Sequence, residues 1–129
     1  AIGPEEMTQA VHAIADALLG AAGQDDLGTL FPDSDPRRKG ADSASILGEV
    51  VSLVRKSGFV VENVDVVVAT DGPRIAPHRG EMRARIAKIL GVVAAAVNVK
   101  GKSLEGLSGS SARDAVSVHA VCLISRRSA

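Results

Sequence analysis

A chain of 129 residues, 46% hydrophobic but only 2% aromatic, suits one domain whose core is built from Val, Ala, Leu and Ile. Its 15 basic and 15 acidic residues cancel, so no global field draws it to nucleic acid or an anionic membrane, and any anionic ligand must be met locally. One cysteine excludes an internal disulfide, and no apolar run approaches the ~20 residues that span a bilayer.

Pro4, Glu5 and Glu6 read as a helix start, with Pro in the first turn and acids at the positive end of the dipole. Met7, Val11, Ile14 and Leu18 carry the buried stripe of a helix running to about residue 19, which Gly20 or Gly23 stops. His12 and Asp16, four apart, leave that helix from one face. Residues 25–39 read as a polar loop. Asp25, Asp26, Asp33 and Asp35 supply its carboxylates, Leu30 and Phe31 its apolar anchor, and Pro32 and Pro36 its stiffness. Asp42 and Ser43 cap a second helix with Ile46, Val50, Leu53 and Val54 on its apolar face, ended by Gly58.

Phe59, Val60 and Val61 lead into a β-branched strand at 64–69, bounded by Thr70, Asp71, Gly72 and Pro73. Pro77 precedes a third helix with Met82, Ile86, Ile89 and Leu90 on one face and Arg79, Arg83, Arg85 and Lys88 on the rest; Gly91 ends it. Residues 95–100 alternate toward a strand, 102–113 are rich in Ser and Gly, and 114–125 read as a last strand through Val116, Val118, Ala120 and Cys122. Cys122 is expected as a buried, inert thiol. The order helix, helix, strand, helix, strand, strand predicts an α/β (α+β) sandwich, one domain over 1–129 with helices on one face of a mixed sheet.

Taken alone, His12 is a helix histidine, the 25–39 stretch is ordinary loop composition, and 70–76 is a strand-to-helix turn with a surface Arg. Taken together, the string HAIADALLGAAGQDDLGTLFPDSDPRRKGADS, with the match continuing to Ile124, resembles the 2-C-methyl-D-erythritol 2,4-cyclodiphosphate synthase family, zinc-dependent lyases of the non-mevalonate isoprenoid pathway.

That resemblance implies a division of roles. His12 would bind zinc (Zn2+), with Asp16 either orienting it or standing as a surface carboxylate. Asp26, Leu27, Gly28, Phe31, Pro32, Asp33, Ser34 and Asp35 would form the substrate loop, whose backbone amides and carboxylates hold the methylerythritol hydroxyls. Thr70, Asp71, Gly72, Pro73, Arg74, Ile75 and Ala76 would bind cytidine through backbone groups, Arg74 standing where the family carries Lys. Lys102, Ser103, Leu104 and Glu105 would meet phosphate, Ser103 with a catalytic hydroxyl and Glu105 through Mg2+ or Mn2+.

Several family features are missing from the residues given. The Asp-x-His motif that supplies two more zinc ligands from an N-terminal strand does not occur, Pro4 and Glu5 stand at the family's His-Ser pair, and Thr8 replaces an acid. A domain without its N-terminal strands would leave a sheet edge uncovered, so a shortened chain is expected rather than a variant that cannot build the metal site. The bacterial Gly-Arg-Gly-Glu-Gly stretch is also absent. Residues 108–114 instead resemble the plant and apicomplexan branch, with the plastid or apicoplast stroma implied for a eukaryotic source and the cytoplasm otherwise.

The implied reaction converts 4-diphosphocytidyl-2-C-methyl-D-erythritol 2-phosphate to the 2,4-cyclodiphosphate with release of CMP, in a homotrimer with sites between subunits. The implied partner is that small diphosphocytidyl molecule, with no nucleic acid and no membrane. Two other readings compete. One is a trimeric nucleotide-binding homologue that has lost the zinc site, and the other a ligand-free α/β scaffold.

Overall fold

The β-branched run that begins at Phe59 becomes the centre of the molecule. In the computed structural model, which describes residues 4–32, 43–70, 75–103 and 116–127 (of Pro4 and Glu5 the backbone only), strand β1 covers Phe59–Thr70 without a break. A register shift between Val61 and Asn63 accommodates the polar Glu62-Asn63 pair. Strand β2, Val97–Lys102, pairs with β1 in parallel; strand β3, Val116–Arg126, pairs with it antiparallel. The order is β2-β1-β3, a mixed sheet as expected.

Val64, Val66 and Val68 of β1 and Val97 and Val99 of β2 point to the buried side by simple alternation. Over them lie α1 (Pro4–Ala21), α3 (Ser43–Lys56) and α4 (Arg79–Leu90). Helix α1 packs on β3 and α3, and α4 on β2. Met7, Val11, Ile14 and Leu18 are buried as the spacing predicted. Each such side chain withdrawn from water stabilises the fold by roughly 1.5–3 kcal/mol before entropy.

Helix α3 is rotated from the expected face. Leu47 and Val51 join Val50 and Val54 inside, while Ile46 and Leu53 lie at the half-buried margin. In α4, Ala87 goes inside and Ile89 is half-buried. The first turn of β2 also moves. Residues Ala94–Ala96 form a 3-10 turn, so the strand starts at Val97 rather than 95. Arg83 is not a plain surface cation, for its Nε donates to Val97 O at 2.8 Å and its Nη2 to Ala94 O at 3.2 Å, tying α4 to that turn.

The opposite side of the sheet carries Asp65, Val67, Asn98, Lys100, His119, Val121 and Leu123, of which Val121 is 71% and Leu123 61% exposed. Asp65 Oδ2 meets Lys100 Nζ at 3.0 Å, and Asp65 Oδ1 is buried with no hydrogen-bond partner. Cys122 is half-buried, and desolvation raises its thiol pKa above the ordinary 9.0, which fits an unreactive thiol. No helix among the described residues is long and apolar enough to cross a membrane.

Candidate functional site

Helix α1 brings His12 and Asp16 to the same region as the chain that follows it. The helix runs to Ala21, beyond the glycine at position 20, and turns at Gly23, whose φ of 74° is the left-handed conformation that glycine adopts without a Cβ penalty. Gln24 then donates from Nε2 to Ser57 Oγ at 3.2 Å, and Ser57 Oγ donates to Leu53 O at 2.9 Å, so the turn is tied to α3.

The stretch expected as irregular loop contains a short helix, α2, Leu27–Leu30. Its start is set by Asp26, which accepts the Thr29 N–H on Oδ1 at 3.1 Å and so satisfies one orphan donor of the first turn. Hydrogen bonds from Thr29, side chain first and backbone second, hold the Asp26 carboxyl below its ordinary value of 3.8. The Leu27 N–H donates to Asp16 Oδ1 at 2.8 Å. One oxygen of Asp16, exposed on α1, therefore fastens the loop to the His12 helix. The Leu27 amide is engaged in that bond. Leu27, Leu30 and Phe31 are half-buried and pack against the core, and Gly28 and Pro32 are exposed. Beside this assembly, Ala13, Asp16, Ala17 and Gly20 of α1, with Gln24 and Asp26, face Val118 and Ala120 of β3 across a groove of about 460 Å³. Asp33, Ser34 and Asp35 lie outside the described residues.

A second group gathers where the parallel pair ends. Ala69 is opposite Lys102 in the ladder, so Thr70 and Ser103 are the next residues at the carboxyl ends of neighbouring strands. That end of a parallel pair is where α/β sheets place ligands. Thr70 and Ile75 are buried, and Lys102 and Ser103 exposed. With its side chain inside, Ile75 has only its backbone to offer a ligand. Asp71, Gly72, Pro73, Arg74, Leu104 and Glu105 lie outside the described residues.

Among the described residues, no group of three or more His, Cys, Asp and Glu side chains could hold a metal ion. His12, half-buried on α1, can provide one nitrogen, and Asp16 already spends an oxygen on Leu27. The donor set within these residues is thus incomplete for zinc, which takes at least three protein ligands in catalytic sites. Composition hinted at neither the Asp16 latch nor the cap at Asp26 beyond the Asp-x-x-Thr spacing.

The sequence profile described as the YgbB family matches residues 9–125. The 2-C-methyl-D-erythritol 2,4-cyclodiphosphate synthase of Pseudomonas aeruginosa is 46% identical over 117 residues, covering 91% of this chain and 74% of that protein. A solved 2C-methyl-D-erythritol-2,4-cyclodiphosphate synthase in its CDP-bound form superposes with a TM-score of 0.81 at 34% identity, over 89% of this chain and 74% of that one. The CDP complex of IspF from Plasmodium falciparum gives 0.79 at 30% identity, over 92% and 70%.

Proposed function

This chain belongs to the YgbB family, and from that membership we propose how its residues share the family's work. The activity is that of a phosphorus–oxygen lyase of the non-mevalonate isoprenoid pathway, forming 2-C-methyl-D-erythritol 2,4-cyclodiphosphate. In the step, an oxygen of the substrate's 2-phosphate attacks the β-phosphorus of the diphosphocytidyl group. The bond from that phosphorus to the bridging oxygen breaks, and CMP leaves with the electron pair. Such chemistry asks the protein chiefly for alignment of two phosphates and for charges that meet the developing negative charge.

The observation that carries this reading is the Asp16–Leu27 hydrogen bond, which fastens the start of α2 to the His12 helix. A loop so fixed can hold a diol in one orientation, with Gly28 letting a ligand come close to the backbone. The roles proposed are the following: Asp26, Leu27, Gly28, Phe31, Pro32, Asp33, Ser34 and Asp35 around methylerythritol; Thr70 to Ala76 around cytidine, two relatives solved with CDP supporting a nucleotide as ligand; Lys102, Leu104 and the Ser103 hydroxyl at the phosphates. Zinc at His12 and Mg2+ or Mn2+ at Glu105, when bound, would supply Lewis-acid polarisation and charge neutralisation, with further zinc donors required from outside the described residues. We assign a homotrimeric assembly with sites between subunits, working in a plastid or apicoplast stroma if the source is eukaryotic and in the cytoplasm otherwise.

Incubation with 4-diphosphocytidyl-2-C-methyl-D-erythritol 2-phosphate tests the reading. Release of CMP with appearance of the cyclic diphosphate in the phosphorus spectrum is expected, and an unchanged substrate in the presence of zinc and Mg2+ would overturn it.

A further inference from the structure

Helix α2 has four residues, and none of them is fully buried. Leu27, Leu30 and Phe31 attach the segment to the core, but apolar burial has no direction, so its angle is left to the hydrogen bonds at its start. One of these is the Asp16–Leu27 bond. The other holds the connection that leads into α2. Helix α1 closes with the Gln24 N–H donating to Leu19 O at 2.8 Å and the Gly23 N–H to Gly20 O at 3.1 Å, which fixes the backbone of Gln24. From there the Gln24 side chain reaches across 33 positions of sequence to Ser57, the residue that follows α3.

The hydroxyl sets the sense of that bond. Ser57 Oγ directs its proton to Leu53 O at 2.9 Å, so it meets Gln24 with a lone pair, and the Gln24 amide nitrogen donates to it at 3.2 Å. Both side chains are half-buried, where water competes less for a directional bond. The backbone around Ser57 is closed as well, with its own N–H on Leu53 O and that of Gly58 on Arg55 O, both at 3.0 Å, before β1 begins at Phe59. The chain entering α2 is thus held at the joint between α3 and the central strand. We infer that Gln24 and Ser57 are a positioning pair for the methylerythritol turn: the bond between them fixes the α1–α2 connection against the end of α3, and with it the direction in which α2 presents Asp26 and Gly28. The inference rests on the role proposed above for Asp26 to Phe31. Gln24 and Ser57 act through α2 and are assigned no contact with substrate.

Amide exchange at Leu27 and Thr29 and steady-state turnover test it together, beside CDP affinity and melting temperature. Gln24→Ala and Ser57→Ala are each expected to speed exchange at both amides and to lower kcat/KM by about two- to tenfold, the span that one net hydrogen bond covers. CDP affinity should stay unchanged, because the proposed cytidine stretch lies elsewhere in the chain. The double variant should be no worse than either single one, since both remove the same bond. Ser57→Thr, which keeps the hydroxyl, should recover most of the turnover. Gln24 lies outside every helix, so Gln24→Ala decides the matter if Ser57→Ala does not fold. Additive losses in the double variant, or exchange and turnover equal to those of the unsubstituted protein in the single variants, would overturn this inference alone. An unsubstituted protein that leaves the diphosphocytidyl substrate unchanged would instead overturn the proposed activity, and the positioning role with it.

Discussion

Asp16 accepts the backbone N–H of Leu27 at 2.8 Å, a charge-assisted bond across eleven positions of sequence that joins the middle of α1 to the first residue of α2. Loss of it should be felt in the ligand loop before the fold. Asp16→Ala is expected to lower turnover about tenfold to a hundredfold through lost alignment, while Asp16→Asn, which keeps an acceptor at the same place, should recover most of it. Steady-state kinetics with circular dichroism check this. Equal activity of the Ala variant would reduce Asp16 to a surface group.

Asp26 gives a pH dependence whose direction follows from its partners. Its folded pKa lies below 3.8, so the cap contributes stability at pH values above the ordinary carboxylate range and loses it as pH falls through the lower, folded value. The Thr29 amide should therefore stay protected from solvent exchange down to about pH 4 and open only in stronger acid. In Asp26→Asn that acid-dependent opening should vanish, and a carboxyl carbon of Asp26 titrating at or above 3.8 would contradict the cap.

His12→Ala should remove bound zinc, from about one ion per chain to a small residue, with the helix content retained because Ala favours helix. Atomic absorption on protein purified with zinc present measures it. Zinc retained in full would make His12 a structural residue of α1.

The open side of the sheet predicts behaviour in solution. Val121 and Leu123 are the large apolar side chains most exposed there, and a face of this kind is covered in an assembly. Leu123→Glu with Val121→Lys is expected to convert a trimer to monomer in light scattering while leaving the helix-covered core folded. A monomeric unsubstituted protein at micromolar concentration would remove the assembly from the proposal.

What could be seen in the sequence was what depends on neighbours along the chain. The stripe Met7, Val11, Ile14, Leu18 and the alternating valines of β1 follow from fixed periods, and both were found inside. The face of α3 was missed by one position because Ile46, Leu47, Val50, Val51, Leu53 and Val54 offer two adjoining aliphatic stripes, and only packing against α1 chooses between them. Helix α2 has four residues, too few for any period to show. The candidate site drew its expectations at His12, Asp26 and Gly28 from the family pattern. The Asp16–Leu27 bond was not legible, since it depends on a backbone amide eleven residues away, and neither was the close approach of Gly101 to Ile75, which sits on another element.

The placement of β1 between β2 and β3 also bears on how the chain is made. Phe59 pairs with Arg126, whose guanidinium sits 5.3 Å from the Phe59 ring centroid, and α1 packs against the same last strand. The helix and strand from residue 79 to 102 can pair with β1 through a local crossover, but the antiparallel half of the sheet has to wait for residues 116–126. At about 5–20 residues per second of synthesis, the apolar surfaces of α1 and β1 stay uncovered for seconds after they leave the ribosome. High contact order then slows the final closure. Substitutions on β3 that weaken pairing with β1 should therefore reduce the yield of soluble protein in the cell more than they lower the melting temperature of molecules that have already folded.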